Sequence, residues 1–372
     1  MTQFVKPGAT LGIIGGGISS YLLGMTAHQM GLKTVILAAS QTDIALSMAD
    51  IPLVGAANSG ADLVQLAELS TIVTYLDENV DGDQLQSLTT ADQLPSTIEL
   101  LTITQDRYLE RVLFEDANLN ILPYAQVLTP GDIESAVEAV GFPCILKPMQ
   151  KGLGVDQQIK LTQMSDINSV RQLLQARPYI VEAWLDQPLQ LTVFAAKNGD
   201  SVRVLPVVEM QTHRQHLQAD IVPARVSDDT LAEVARIATA LAGTVEYTGV
   251  FALELFVNQS GTLYVNRMIP MPNMHANILE LATGISVYEL HLRAILGWPL
   301  PEVSLQKPGI MLPLRQTDEA TVLTQIQIKP QWRFNFYPNG NHFIGDVKVM
   351  GDLAQIEREI NATGHFQIKE RK

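Results

Sequence analysis

The sequence predicts a mixed fold of the α/β and α+β classes with more than one domain, and three observations support this prediction. The chain has 372 residues, more than one ordinary domain contains. Its first part follows the order strand, glycine turn, helix and strand, which is typical of a parallel sheet. Several segments after residue 180 alternate apolar and polar residues, as strands of an antiparallel sheet do.

The composition excludes several classes of protein. Apolar residues make up 47% of the chain and charged residues 17%, which predicts a buried core rather than disorder. Twenty-five Lys and Arg against 39 Asp and Glu give a net charge of −14, which disfavours nucleic acid and anionic lipid as partners. The single cysteine, Cys144, cannot form an internal disulfide, and no Cys/His metal-ligand spacing occurs. We therefore expect a compact cytoplasmic protein.

Residues 7–32 contain no charged side chain, and a run of this length can span a bilayer. Glycines and polar residues interrupt the run, which argues against a membrane helix. The alternative is a βαβ unit with a strand at Thr10–Ile14, a turn at residues 15–17, a helix over residues 18–30 and a second strand from Lys33. This alternative predicts a right-handed crossover between parallel strands.

The glycines of this turn would let the backbone come close to an anion bound at the N-terminus of the helix. The spacing Gly15-x-Gly17-x-x-Ser20 nearly completes a dinucleotide fingerprint. However, residues 38–40 read Ala-Ala-Ser where a ribose-binding acidic residue would follow the second strand. A structural turn, or a turn that binds another anion, is therefore favoured over a nicotinamide or flavin site.

Two helices are predicted in the middle of the chain. The first begins near Thr104, with Asp106 in its first turn. Its apolar stripe is predicted to consist of Tyr108, Leu109, Val112 and Leu113. The second helix is predicted over residues 131–140.

Lys147 ends an apolar strand, and a glycine-bearing loop begins soon after it at Lys151 and Gly152. Two interpretations of Lys147 stay open: its ammonium extends to the surface, or it faces a phosphate. The neighbouring loop favours the phosphate, because backbone amides in such loops close over phosphate groups.

Two polar residues lie at matched positions of neighbouring predicted strands. Glu254 points away from Leu253 and Leu255, and Asn266 closes the next strand. A carboxylate and an amide at matched positions are oxygen ligands of the kind that Mg²⁺ takes when it is shared with nucleotide phosphates. The alternative is that Glu254 is simply an outward-facing polar residue.

Six motifs follow one another along the chain. They are residues 105–110 (QDRYLE), 141–147 (GFPCILK), 180–184 (IVEAW), 206–209 (PVVE), 249–257 (GVFALELFV) and 289–300 (ELHLRAILGWPL). In this order they resemble the PurK family of ATP-grasp enzymes, the 5-(carboxyamino)imidazole ribonucleotide synthases. The resemblance covers nearly the whole chain.

The resemblance implies a three-domain ATP-grasp fold. A Rossmann-like pre-ATP-grasp domain is expected at residues 1–98, the ATP-grasp domain at 99–297 and a small β-rich C-terminal domain at 298–372. The implied activity is that of a ligase in purine biosynthesis: ATP converts bicarbonate to carboxyphosphate, and the amine of 5-aminoimidazole ribonucleotide takes the carboxyl group. ATP and Mg²⁺ are the implied cofactors, and a homodimer is implied.

The resemblance also assigns site residues by position. The expected ATP-binding residues are Arg107, Lys147, Gly152, Glu182, Ala183, Trp184, Leu185, Gln190, His213, Asn266 and Arg267. Among them, Arg107 and Lys147 match phosphate contacts and residues 182–185 match the adenine hinge, although Trp184 is equally well explained as core packing. Glu254 matches a magnesium ligand, and Gly16, Gly17 and Lys348 match substrate-binding positions. No catalytic residue is assigned.

Several positions depart from the family pattern. The turn GGGQLGR is GGGISSY at residues 15–21, and the phosphate loop GGYDGKG is GLGVDQQ at residues 152–158. The ribose-binding glutamate is Gln190, which carries no charge. The second metal carboxylate is Arg267, which would repel Mg²⁺ unless it contacts phosphate in place of the ion.

The reacting end departs as well. The segment APRPHNSGH is IPMPNMHAN at residues 269–277, where His275 is either a replacement or a neutral change. The late motif RKMGH is KVMGD at residues 348–352. Two hypotheses follow. The chain is either a ligase of this family, with Arg267 substituting for one metal contact, or a catalytically impaired paralogue that binds nucleotide as a regulatory or binding protein.

Overall fold

Three sheets form the framework of the described part of the chain. The computed structural model describes residues 3–152, 158–213, 216–338 and 343–369, except for the side chain of residue 213. Within these ranges lie a four-stranded parallel sheet, a four-stranded antiparallel sheet and a nine-stranded antiparallel sheet. This combination confirms the predicted fold class.

The parallel sheet comes first and has the strand order β3-β2-β1-β4. Its elements are β1 (Thr10–Ile14), α1 (Gly17–Gln29), β2 (Lys33–Ala38), β3 (Ile51–Val54), α2 (Gly60–Leu69) and β4 (Ile72–Tyr75), followed by α3 (Gly82–Leu88). Strands β1 and β2 pair in parallel with α1 between them, so the predicted βαβ unit is confirmed. None of the helices in the described ranges is long and apolar enough to cross a membrane.

The small antiparallel sheet follows, with the order β5-β8-β6-β7. Its region contains α4 (Glu99–Gln105), α5 (Arg107–Asp116), β5 (Tyr124–Val127), α6 (Ile133–Val140), β6 (Cys144–Pro148), β7 (Ile159–Leu161), α7 (Ile167–Val170) and β8 (Tyr179–Ala183). Asp106 separates α4 from α5 and caps α5 by accepting hydrogen bonds from the amides of Tyr108 and Leu109.

The apolar stripe predicted for α5 is wrong. Its buried residues are Glu110, Arg111 and Phe114, whereas Leu109 is 43% exposed. Two charged side chains of the helix point inward because they pair with oppositely charged residues of neighbouring elements: Glu110 with Lys151, and Arg111 with Glu182. Pattern analysis assumes that the apolar face is the buried one, and that assumption fails here.

The nine-stranded sheet has the order β14-β13-β9-β11-β12-β15-β17-β16, with β10 paired to β9. Its strands are β9 (Leu189–Asn198), β10 (Ser201–Val204), β11 (Val208–His213), β12 (His216–Val222), β13 (Gly249–Val257), β14 (Leu263–Ile269), β15 (Gly309–Leu314), β16 (Arg333–Phe336) and β17 (Gly345–Met350). Its helices are α8 (Asp228–Thr244), α9 (Leu279–Thr283), α10 (Val287–Ile295), α11 (Glu319–Ile328) and α12 (Leu353–Asn361).

The C-terminal strands continue this sheet rather than forming one of their own. Strand β15 pairs with β12, where Ile310 lies opposite Ile221, and β17 pairs with β15. The expected C-terminal domain is therefore joined by backbone hydrogen bonds to the expected ATP-grasp domain. The domain limits at residues 98 and 297 stay predictions.

One buried histidine joins the parallel sheet to the nine-stranded sheet. The amide of Val250 in β13 donates to Nδ1 of His291 in α10 over 3.0 Å. The proton of the neutral ring is therefore on Nε2, which donates to Oγ1 of Thr74 in β4 at 2.8 Å. Burial lowers the pKa of His291 to about 3, so the ring is neutral near pH 7.

We expect His291→Ala to lower the free energy of unfolding by about 3 kcal/mol, because it leaves the buried amide of Val250 and hydroxyl of Thr74 without this partner. The variant should also depend less on pH. The unfolded imidazole takes up a proton below a pKa of 6.5, whereas the folded one does so only near 3. The free energy of unfolding of the wild type therefore decreases as the pH is lowered through this window, by up to about 1.4 kcal/mol per pH unit.

Urea unfolding at about pH 7 and about pH 5 measures both effects. Between these values His291→Ala should lose about 2 kcal/mol less than the wild type. His216→Ala removes an exposed histidine at the start of β12 and should behave like the wild type. An equal pH dependence for His291→Ala and the wild type would contradict the prediction.

Candidate functional site

The register of the nine-stranded sheet places predicted ATP and substrate positions on one face. Thr192, Glu254 and Arg267 lie directly opposite one another on β9, β13 and β14. The next row, two residues along, runs through Gln190, Met210, Asp220, Met311 and Lys348. Directly opposed residues, and residues two apart on a strand, share a face. Lys348 is therefore on the same face as Gln190 and Arg267, two of the predicted ATP residues.

Glu254 is paired with Arg267 across this sheet. A register shift after Glu254 leaves Asn266 as the extra residue of β14, so the predicted match of Glu254 with Asn266 is wrong. Nε and Nη2 of Arg267 donate to the two carboxylate oxygens of Glu254, each over 2.8 Å. Burial raises the pKa of Glu254, but the guanidinium outweighs burial and holds that pKa below its usual value.

A second carboxylate, that of Glu182 in β8, is buried between two cations. Lys147 at the end of β6 donates to Oε2, and Nε of Arg111 in α5 donates to Oε1 at 3.1 Å. Burial raises the pKa of Glu182, but these cations outweigh it and bring the pKa to about 2. Lys147 is only 16% exposed, so its ammonium does not extend to the surface.

Glu182, Lys147 and Arg111 form a charged group, and Glu110 in α5 extends it. Its Oε1 accepts from Nζ of Lys151 and from the amide of Met268, each at 2.8 Å, and its Oε2 lies 3.7 Å from Arg111. Arg111 in turn donates to the carbonyl of Asn266. Sequence analysis assigned no role to Glu110, Arg111 or Lys151. For Glu110 and Arg111 the signal was the helical spacing, which puts charges three and four residues after position 107 on one face. No such spacing points to Lys151, which lies in the loop after β6.

Arg107 lies beside the same group. Its Nη1 donates to the carbonyl of Pro148 at 2.6 Å, next to Lys147. Burial lowers the pKa of Arg107, while Glu182 and Glu110 oppose that effect. The structure thus brings together Arg107, Lys147, Glu182, Glu254 and Arg267. Their assignment to ATP and metal stays a prediction.

The expected adenine hinge runs along the end of β8. The amides of Ala183 and Trp184 donate to the carbonyls of Pro123 and Pro143 at 2.9 and 3.0 Å. Lys160 lies over the indole of Trp184 with its ammonium 4.3 Å from the ring centroid. Trp184 is half-buried, and both interpretations of it stay open. The hinge role of residues 182–185 stays a prediction.

The remaining expected ATP residues lie around this region. The side-chain amide of Gln190 donates to Oγ1 of Thr212 at 3.1 Å. Gly152 has φ +84°, and a β carbon there would lie 2.0 Å from Oδ1 of Asn79. The loop at residues 153–157 and the side chain of His213, at the end of β11, are outside the described part of the chain.

A carboxylate of the protein occupies the glycine turn. Oδ1 of Asp43 accepts from the amides of Gly17 at 2.8 Å and Ala45 at 2.9 Å. A β carbon on Gly16 would lie 2.1 Å from Oδ2 of the same carboxylate. This anion lies where the sequence predicted one for the helix N-terminus, but it belongs to the chain. The acidic residue expected directly after β2 is absent, and Asp43 follows a few residues later.

Lys348 lines a cavity of about 370 Å³ between α1 and the C-terminal strands. Tyr21, Tyr288 and Tyr337 also line it, and the rings of Tyr21 and Tyr337 lie 6.3 Å apart. The hydroxyl of Tyr337 donates to Asp346, which lies 3.5 Å from the ammonium of Lys348. The helix that begins at the glycine turn thus forms one wall of the cavity that contains Lys348.

His275 joins this cavity region to the charged group. Its Nδ1 lies 3.0 Å from Oδ1 of Asp220, which is fully buried. Burial lowers the pKa of His275, but Asp220 outweighs burial and holds the pKa above its usual value. The ion pair accounts for a structural role of His275, which the sequence left open.

Two family models match the chain. The ribonucleotide synthetase preATP-grasp domain matches residues 8–105, and the ATP-grasp domain matches residues 112–275. The first match contains the parallel sheet. The second contains Lys147, Lys151, Glu182, Glu254 and Arg267 and begins just after Arg107, Glu110 and Arg111.

The chain is also similar to proteins of known name. It is 30% identical over 369 residues to the N5-carboxyaminoimidazole ribonucleotide synthase of Staphylococcus saprophyticus, covering 98% of each chain. A crystal structure of the ADP complex of a purK enzyme superposes with a TM-score of 0.90 at 28% identity, covering 98% of each chain. The Staphylococcus aureus N5-carboxyaminoimidazole synthetase complexed with ADP gives a TM-score of 0.89 at 26% identity, covering 97% of this chain and 98% of that one.

We expect Glu182→Gln to lower the free energy of unfolding by about 4 kcal/mol, because Lys147 and Arg111 then lie in the interior without their shared carboxylate. Urea unfolding at neutral pH measures the change. Glu233→Gln is the matched control, since Glu233 forms an exposed ion pair with Arg236 and should cost less than about 1 kcal/mol. Equal effects of the two substitutions would show that the charges around Glu182 are not coupled to folding.

Proposed function

The chain belongs to the N5-carboxyaminoimidazole ribonucleotide synthase family, and from this membership we propose that it carboxylates 5-aminoimidazole ribonucleotide at the expense of ATP. Bicarbonate attacks the γ-phosphorus of ATP, which releases ADP and forms carboxyphosphate. The exocyclic amine of the ribonucleotide then attacks the carboxyl carbon, loses a proton and displaces phosphate. The named relatives and the ADP complexes support this proposal.

One observation in the structure carries the proposal. Arg107, Lys147 and Arg267 come from three different elements and meet beside one face of the nine-stranded sheet. Phosphoryl transfer depends mainly on cations held in position around the transferred group. The buried carboxylates Glu182 and Glu254 hold two of these cations in place, so little reorganisation is required when a phosphate arrives.

The same face offers a place for the second substrate. Lys348 lines the cavity next to α1 and is two strands away from Asp220 in the same row of the sheet. We propose that the ribonucleotide binds in this region, with Lys348 as a cation for its phosphate. Asp43 already accepts a hydrogen bond from the amide of Gly17, so this amide is not free for the substrate. The contribution of Gly16 and Gly17 is therefore the shape of the α1 N-terminus.

Magnesium is the second cofactor that the family resemblance implies, with Glu254 as its ligand. The residues present do not fit this ion. Arg267 donates to both oxygens of Glu254, and within the described ranges no group of three or more His, Cys, Asp or Glu is placed to hold a metal. We therefore assign no step to a protein-bound metal ion.

The homodimer implied by the resemblance and the cytoplasmic location expected from the composition stay predictions. The regulatory hypothesis makes a different prediction, because a protein of that kind binds ADP or ATP without consuming the ribonucleotide. Release of ADP distinguishes the two. The assay contains ATP, bicarbonate and 5-aminoimidazole ribonucleotide, each omitted in turn.

We expect ADP release to require both bicarbonate and the ribonucleotide, and Lys147→Ala to lower kcat/KM about 100- to 1000-fold, because a phosphate-stabilising cation is lost. Lys33→Ala changes an exposed lysine at the start of β2 and should leave kcat/KM unchanged. Circular dichroism verifies that both variants are folded. Nucleotide binding without ribonucleotide-dependent turnover would overturn the proposed activity and favour the regulatory hypothesis.

A further inference from the structure

Arg267 and Glu254 form an ion pair at the point where the resemblance places a metal ion. The guanidinium donates through Nε and Nη2 to both carboxylate oxygens over 2.8 Å. A cation therefore already lies against the two oxygens that a divalent ion would need. The pair is set by the β14 register shift, which makes the two residues direct neighbours across the strands.

The exposure of the two side chains indicates which of them meets a ligand. The side chain of Arg267 is 41% exposed, whereas that of Glu254 is 10% exposed. A guanidinium has five N–H donors, and the described residues supply acceptors only for the Nε and Nη2 edge of Arg267. The Nη1 group is thus available to an anion that approaches from the open side.

The charges around Arg267 leave no excess of negative charge for a metal ion to neutralise. The cations of this group are Arg107, Arg111, Lys147, Lys151 and Arg267, and its carboxylates are Glu78, Glu110, Glu182 and Glu254. One positive charge is in excess, which suits an incoming phosphate. A glutamate at position 267 would change the sum by two units, the charge of one Mg²⁺, and leave an excess of negative charge.

We propose that Arg267 replaces a divalent cation at Glu254, so that this chain binds the phosphates of a nucleotide through its own guanidinium and without a protein-bound metal ion. The inference rests on the nucleotide binding in the proposed function. It adds that the affinity for nucleotide is independent of Mg²⁺.

Calorimetric titration with ADP tests this, once in excess EDTA and once in excess Mg²⁺. The wild type should bind ADP with Kd values that agree within about threefold in the two buffers. Arg267→Glu should bind at least about tenfold more weakly in EDTA and regain affinity when Mg²⁺ is added, because it exchanges the built-in cation for a metal ligand. Arg236→Glu makes the same charge change at an exposed position of α8 and should match the wild type.

The titration of the wild type with ADP tests the inference even if Arg267→Glu does not fold. Loss of ADP binding in EDTA and its recovery with Mg²⁺ would overturn the inference and leave the proposed function intact. Absence of ADP binding in both buffers would overturn the proposed function and this inference with it. As a second readout, Mn²⁺ alone is added to the nucleotide-free wild type and followed by electron paramagnetic resonance. The signal of the free ion should persist, and its loss would contradict the replacement.

Discussion

The buried Glu182 carboxylate and the Arg111 guanidinium are the contact on which the arrangement of the site depends. Glu182 lies in the small sheet, Arg111 in α5, and Arg111 also donates to the carbonyl of Asn266 in the nine-stranded sheet. One side chain thus links the small sheet and the nine-stranded sheet. Charges are costly to bury singly, so this arrangement persists only with all partners present. The fixed position of Lys147 follows from the same carboxylate.

The parts of the fold that sequence predicted best are those in which burial follows hydrophobicity. The βαβ unit at Thr10–Ala38 shows this, because apolar runs separated by glycine leave few other arrangements. The α5 helix shows the opposite case. Its buried side includes Glu110 and Arg111, whose partners Lys151 and Glu182 are distant in the sequence. A local pattern contains no information about such partners.

The candidate site was predictable where a residue type alone indicates the chemistry. Lys147 at the end of an apolar strand is an example, whereas Arg267 was assigned only by the family resemblance. Which side chains of neighbouring strands face each other was less predictable, because this depends on the register of the strands. The shift at Asn266 decides that Glu254 faces Arg267, and the row through Asp220 decides that Lys348 shares the face of Gln190. Asp43 was missed for a related reason, since its carboxylate reaches the glycine turn from a later loop.

The continuity of the nine-stranded sheet has a consequence for aggregation. Strand β15 covers the edge of β12 along residues 220–222. Without the C-terminal strands, β12 would present unpaired N–H and C=O groups beside the apolar Ile221, and such an edge recruits strands from other chains. The segment from β15 onward therefore also protects the sheet against intermolecular pairing. A chain shortened there loses a barrier to self-association in addition to its cavity wall.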